Sequence, residues 1–188
     1  MRIGVLALQG AFSEHISKLN NMGMDAYEIR NLEDFQKGCE ALVLPGGEST
    51  VMRKLLGDLN LLDPIRKAIE DGMPVFGTCA GLILLSKTLS NGESPVFGLM
   101  DIKTVRNAYG RQLGSFSTES IFNNRKIPMV FIRAPYIEEV GEGVQILSQV
   151  DGKIVAARQG NILVTAFHPE LAEDNYIYEY FIGMYCKQ

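Results

Sequence analysis

The sequence predicts an α/β protein built on a doubly wound, mostly parallel sheet flanked by helices, with an additional antiparallel portion in its second half. Three observations predict it. Short apolar runs at 3–8, at 41–44 and from Pro74 onward have the character of strands buried on both faces of a parallel sheet. Stretches with helical spacing or helix-start chemistry lie between them. Beyond Asn91-Gly92 the runs shorten, and the dipeptides Asp151-Gly152 and Gly160-Asn161 read as hairpin turns.

The elements follow in order. Residues 3–8 form the first strand, ended by Gln9-Gly10. In the next helix Phe12, Ile16 and Leu19 make a stripe at i, i+4 and i+7, and Gly23 stops it. His15 lies beside that stripe, where a packed helix histidine, a catalytic group and a partner contact are all open readings. Residues 26–29 suggest a second strand, and Asn31 with Asp34 three residues on has the form of a helix cap. The strand at 41–44 breaks at Pro45-Gly46-Gly47-Glu48-Ser49-Thr50. Paired glycines let backbone N–H groups approach a ligand closely, although the same loop would serve as a plain strand-to-helix turn. It is no phosphate loop, because no Gly-Lys-Ser/Thr follows.

A helix is expected over 51–56, and a further one with Asp63 as cap, Pro64 at its first position and Gly72 just past its end. The strand from Pro74 leads into Gly77-Thr78-Cys79-Ala80-Gly81 and a helix over 80–89 that is apolar nearly all round. Shorter strands are expected at 102–105, 116–121, 129–132, 144–150, 154–157 and 162–167. A helix over 174–184 closes the chain, with Ile177, Phe181 and Met184 toward the core and its tyrosines toward water.

With 188 residues, 46% of them hydrophobic and 21% charged, the chain suits a single domain over 1–188 with a sizeable core. A formal charge of −4 leaves no electrostatic footprint for nucleic acid or an anionic membrane. No apolar run approaches the roughly 20 residues that span a bilayer, and the chain opens on a strand, so a cytoplasmic location is expected. Cys39, Cys79 and Cys186 are widely separated and odd in number, which argues against a disulfide framework or a zinc site. With His15 and His168 as the only histidines, the search for a general base is short, and no metal or cofactor is expected.

The segment 77–81 has the chemistry of a nucleophile elbow. Flanking glycines permit a cramped strand-turn-helix that lifts Cys79 to a helix N-terminus, whose N–H groups favour a thiolate. The N–H that follows the nucleophile can face a developing oxyanion. A cysteine that merely packs as a small hydrophobe is the competing reading. The strand at 162–167 ends in His168-Pro169-Glu170. In an extended segment residues i and i+2 point the same way, so the imidazole and the carboxylate would share one side. Glu170 would then orient His168, and His168 would move protons for Cys79, as in a Cys-His-acid triad.

Gly77-Thr78-Cys79-Ala80-Gly81 together with His168-Pro169-Glu170 resembles the class I, triad-type glutamine amidotransferases. Further strings are similar to the glutaminase subunits of pyridoxal 5'-phosphate synthases: Leu8-Gln9-Gly10, Glu14-His15, Pro45 to Thr50, Arg106-Asn107, Gly110-Arg111-Gln112, Phe131-Ile132-Arg133-Ala134-Pro135 and Phe167-His168-Pro169-Glu170-Leu171. The resemblance implies a flavodoxin-like fold and hydrolysis of L-glutamine by Cys79, His168 and Glu170 through a γ-glutamyl thioester. It implies oxyanion donors at Gly47 and Ala80. It also implies a glutamine pocket of Gly46, Gly47, Glu48, Ser49, Arg106, Arg133 and Ala134, in which Glu48 and Arg106 match the substrate's ammonium and carboxylate. The implied partner is a synthase subunit with a (β/α)8 barrel, met in part by residues 9–15. Phe12-Ser13, Ala108-Tyr109 and Gly114 depart from the common pattern and bear on partner contact more than on chemistry. Two alternatives stay open: a class I glutaminase serving another ammonia-using synthase, and a non-catalytic module with a reactive elbow cysteine.

Overall fold

The computed structural model describes residues 1–106 and 115–185. The motif positions Asn107, Ala108-Tyr109, Gly110-Arg111-Gln112 and Gly114, and also Cys186, lie outside the described residues. In chain order the elements are β1 (Arg2–Leu6), α1 (Phe12–Asn21), β2 (Asp25–Ile29), α2 (Leu32–Gln36), β3 (Ala41–Leu44), α3 (Ser49–Asp58), α4 (Leu62–Glu70), β4 (Val75–Thr78), α5 (Ala80–Leu85) and β5 (Ser86–Leu89). There follow β6 (Met100–Val105), β7 (Ser115–Phe122), β8 (Arg125–Ile132), β9 (Tyr136–Val140), β10 (Gln145–Val150), β11 (Lys153–Gln159), β12 (Ile162–Thr165), a 3₁₀ turn (Pro169–Leu171) and α6 (Tyr176–Tyr185).

The main sheet runs β2-β1-β3-β4-β12-β11-β9-β6-β5, with β10 added to β11. From β2 through β12 every neighbour is parallel. At β11 the direction reverses, and β11 pairs antiparallel with β12, β9 and β10. The expected doubly wound sheet with an antiparallel second part is therefore present. Its central strands read ALVL, VFGT and ILVT and are buried along their whole length, as strands covered by helices on both faces must be. The hairpin of β7 and β8 stands apart as a two-stranded ribbon.

Several local expectations are corrected. The helix expected over 80–89 stops at Leu85, and Ser86–Leu89 is a strand parallel to β6. Here Ser86 Oγ donates to Leu82 O at 2.8 Å and meets Thr104 Oγ1 at 2.7 Å, which closes the helix and anchors the strand. Second, α4 begins at Leu62 without a side-chain cap, so Asp63 and Pro64 lie inside its first turn. Proline is tolerated there because the first turn lacks intrahelical N–H partners anyway. Third, β9 was not anticipated; it joins β6 to β11. Last, Tyr178 is fully buried, against the expectation that the tyrosines of α6 face water. The buried face of α1 is likewise centred on His15 and Leu19, with Phe12 and Ile16 only half-buried.

Two glycines let α5 press onto the sheet. A Cβ on Gly77 would lie 2.7 Å from the carbonyl carbon of Gly81, and one on Gly81 would lie 2.1 Å from Leu44 O. Since the obstruction at Gly81 is backbone, Gly81→Ala is expected to destabilise the protein by about 3 kcal/mol, the upper end of overpacking costs. Urea unfolding would show it, and an unchanged midpoint would mean that α5 does not seat on β3 as described.

Candidate active site

The carboxyl ends of β1, β3, β4 and β12 come together at one sheet edge, where doubly wound folds bind ligands. These strands deliver Gln9-Gly10, Gly46-Gly47, Cys79 and His168 respectively. Cys79 occupies the turn between β4 and α5 with φ 49° and ψ −97°, a conformation that costs energy for any residue with a Cβ. It is held there by its own N–H, which donates to Thr165 O at 2.8 Å, and by its carbonyl, which accepts from Ile83 N at 3.3 Å. The side chain is 8% exposed, enough to reach the cleft from the mouth of the core.

His168 and Glu170 meet, but not in the expected way. The segment is not extended; Pro169–Leu171 forms a 3₁₀ turn, for which the fixed φ of Pro169 is suited. Within the turn Leu171 N donates to His168 O at 3.3 Å, and His168 N donates across to Val130 O at 2.8 Å. His168 Nδ1 lies 2.6 Å from Glu170 Oε1. A carboxylate only accepts, so Nδ1 carries the proton and Nε2 is left for Cys79, which lines the same cleft. Burial draws the imidazole pKa down, yet the neighbouring Cys79 and Glu170 outweigh it and push it up to about 10. Burial also works against the Glu170 carboxylate, and the two neighbouring histidines overcome it, holding its pKa below the ordinary value.

These groups open on a cleft of about 580 Å³. Gly46, Gly47, Glu48, Ser49, Cys79, Arg106, Arg133 and His168 all line it. Gly46 abuts the reacting groups, since a Cβ there would fall 2.4 Å from His168 Cε1 and 3.5 Å from Cys79 Cβ. The loop is tied from β1: Gln9 Oε1 accepts from Glu48 N at 2.8 Å. Arg133 sits at φ 42°, and strain in a non-glycine residue at a cleft wall is a feature of ligand sites. Ala80 and Ala134 are buried and do not line the cleft; Ala80 is the first residue of α5, where amides lack intrahelical partners.

Glu48 and Arg106 are engaged in this state. Glu48 caps α3, accepting from Val51 N at 3.0 Å, Thr50 N at 3.3 Å and the Thr50 hydroxyl. Arg106 Nη1 pairs with Glu93 Oε2 at 2.8 Å, and its Nη2 reaches Glu48 Oε1 at 3.4 Å. The two side chains expected to meet the ammonium and the carboxylate of glutamine thus face each other. His15, left on sequence between a packed helix residue, a catalytic group and a partner contact, has no exposed area and is packed. It lies 3.4 Å from Glu170 Oε2, a neighbour that sequence spacing gave no means of finding.

A second depression, about 560 Å³, lies between α1 and the 3₁₀ turn; it touches Glu170 from outside and includes neither Cys79 nor His168. Among the described residues, no group of three or more His, Cys, Asp or Glu is placed to hold a metal ion, and no helix is long and apolar enough to cross a membrane.

Comparison with known proteins follows the same lines. Residues 5–187 match the family described as the SNO glutamine amidotransferases. The chain is 56% identical to the pyridoxal 5'-phosphate synthase subunit PdxT of Streptococcus pneumoniae (strain CGSP14), with 100% of this chain and 98% of the relative covered. The protein of the same name from strain 70585 is also 56% identical, with 100% and 99% covered. A crystal structure described as glutamine amidotransferase superposes with a TM-score of 0.92 at 41% identity, covering 98% of each chain. PurLQS from Thermotoga maritima shares the fold at a TM-score of 0.68 and 16% identity, with 97% of each chain covered.

Proposed function

The chain belongs to the SNO glutamine amidotransferase family, and on that premise we propose that it hydrolyses L-glutamine to L-glutamate and ammonia as the glutaminase subunit of a pyridoxal 5'-phosphate synthase. The observation that carries this reading is the array at the sheet edge: Cys79 on a strained elbow shares a cleft with His168, whose Nδ1 lies 2.6 Å from Glu170. A binding module would have no use for a protonated histidine fixed between a thiol sulfur and a buried carboxylate.

In this mechanism Cys79 Sγ attacks the side-chain amide carbon with its proton passed to His168, whose pKa is raised to about 10. The carbonyl oxygen becomes an oxyanion, met by the backbone N–H groups of Gly47 and Ala80. As the C–N bond breaks, His168 gives its proton to the leaving nitrogen and ammonia departs, leaving a γ-glutamyl thioester. His168 then takes a proton from water, the hydroxide adds to the thioester carbon, and the C–S bond breaks to release glutamate. Glu170 stays ionised and supports the imidazolium throughout.

Gly46, Gly47, Glu48, Ser49, Arg106 and Arg133 form the glutamine pocket in this reading, with Ala134 buried next to Arg133. Glu48 and Arg106 must loosen their 3.4 Å contact before each can meet a substrate charge. The relatives named PdxT are subunits of a pyridoxal 5'-phosphate synthase, and the partner proposed here is a synthase subunit with a (β/α)8 barrel. Free ammonia would protonate and diffuse away, so a shielded route between the two sites is the chemical reason for a complex. We place the pair in the cytoplasm, where free thiols such as Cys39 and Cys79 stay reduced.

Glutamine hydrolysis is expected to be slow for the isolated chain and to rise on the order of 10- to 100-fold with saturating synthase subunit, the usual range for coupling between sites. Equal rates with and without that subunit would remove partner activation from the proposal.

A further inference from the structure

One buried titratable side chain has no part in the mechanism above. His15 on α1 is fully enclosed by three other elements. Its Nδ1 lies 2.7 Å from the Tyr178 hydroxyl on α6, and its Nε2 lies 3.3 Å from Thr78 Oγ1 on β4 and 3.4 Å from Glu170 Oε2 beyond β12. Thr78 immediately precedes Cys79. Hydrogen-bond capacity assigns the tautomer. With the Tyr178 O–H donating to Nδ1, Nε2 carries the ring proton, which lies between Thr78 Oγ1 and Glu170 Oε2.

Glu170 spends Oε1 on His168, at 2.6 Å. Its Oε2 is buried and makes no hydrogen bond of ordinary geometry among the described residues. A buried carboxylate oxygen with no donor nearby is costly and free to turn away. His15 Nε2, which meets Thr78 Oγ1 at 3.3 Å, stands 3.4 Å from it.

We propose that His15 is a positioning residue of the triad: set by Tyr178, it holds Glu170 Oε2 so that Oε1 stays aligned on His168. The proposal rests on the glutaminase reading and extends it inward from the reacting groups. The groups acting on the His15 ring are Glu170 and His168 from the strand end, Glu14 and Lys18 on its own helix, and the Tyr178 hydroxyl. Burial outweighs the pull of Glu170 and lowers the His15 pKa, so the ring is neutral near pH 7. That neutrality has a chemical use. A cation at this position would compete with His168 for the carboxylate's charge, whereas a neutral N–H orients the carboxylate and leaves its charge to the imidazolium.

The test uses the chain with saturating synthase subunit and measures glutamine hydrolysis for wild type, His15→Leu, His15→Gln and Tyr178→Phe. Leucine removes the donor, and glutamine returns an N–H at nearly the same reach. His15→Leu is expected to lower kcat on the order of 10- to 100-fold with KM little changed, as slight misplacement of a catalytic group does. His15→Gln is expected to recover much of that loss, and Tyr178→Phe to show a smaller loss in kcat alone. Proton NMR supplies a second readout, because the short Nδ1–H to Oε1 bond of His168 should give a far-downfield resonance that survives in the glutamine variant and shifts or vanishes in the leucine variant. A leucine variant with wild-type kcat and an unmoved resonance would overturn the proposal. So would leucine and glutamine variants that lose activity equally, in step with the fraction unfolded. Should the leucine variant not fold, wild-type kcat in Tyr178→Phe overturns it instead. A wild type that hydrolyses no glutamine even with its partner would defeat the glutaminase reading itself, a distinct result.

Discussion

Cys79→Gly is expected to abolish glutamine hydrolysis and, at the same time, to make the protein more stable. The two effects have separate causes. Loss of the nucleophile removes the covalent route, and in enzymes whose catalytic residues act as a unit such a loss lowers kcat about a millionfold. Stability responds to the backbone. At φ 49° and ψ −97° a residue with a Cβ is strained by about 1–3 kcal/mol, and glycine relieves that strain. Part of the relief is offset by the greater freedom of glycine in the unfolded chain, about 0.5–1 kcal/mol, which leaves a net gain of about 1 kcal/mol. Cys79→Ala separates the causes, because it deletes the sulfur and keeps the Cβ. It should be as inactive as the glycine variant without the gain in stability. Turnover with synthase subunit present and urea unfolding of the three proteins measure both; retained turnover in either variant would exclude Cys79 as nucleophile.

Gly46→Ala is expected to produce the second-largest effect, a loss of about 100-fold or more in kcat with the fold intact. The new methyl group would lie 2.4 Å from His168 Cε1, so the ring must rotate away from Glu170 Oε1 and from Cys79. Gly46 lies outside the left-handed region, and its backbone accepts alanine without strain. This sets it apart from Gly81, where the obstruction is the carbonyl of Leu44 and the cost falls on stability. Turnover within a few-fold of wild type, with unchanged unfolding, would show that the His168 ring does not rest against the Gly46 loop.

What could be read from sequence follows from how far each signal reaches along the chain. The strand at 41–44 is legible because four consecutive apolar residues are bounded by Pro45-Gly46. The cap at Asn31 is legible because donor and acceptor lie three residues apart, and Asp34 N does donate to Asn31 Oδ1 at 2.9 Å. The elbow is legible because its glycines flank the cysteine directly, and a turn so tight has few sequence solutions. The end of α5 is not legible in the same way. Ser86 to Leu89 hold no glycine or proline that would stop a helix, and the decision rests on Ser86 meeting Thr104, which lies 18 residues on. The 3₁₀ turn after His168 escaped for a related reason, since an i, i+2 pair can converge in an extended segment or a tight turn.

The elbow itself carries the same division. By itself the sequence determined the alternation of strands and helices, the place of Cys79 at a strand-to-helix turn, and the nearness of Glu170 to His168, because each is encoded within a few residues. Only the tertiary structure decided that Gly46 closes on His168, that Gln9 ties the loop, that Glu48 and Arg106 face each other, and that His15 stands behind Glu170. Those contacts join strand ends and helices far apart in the chain, 163 residues in the case of His15 and Tyr178. Helical spacing can announce that a face of α1 is buried. It carries no information about which carboxylate that face will meet, because the meeting is set by the order of strands in the sheet.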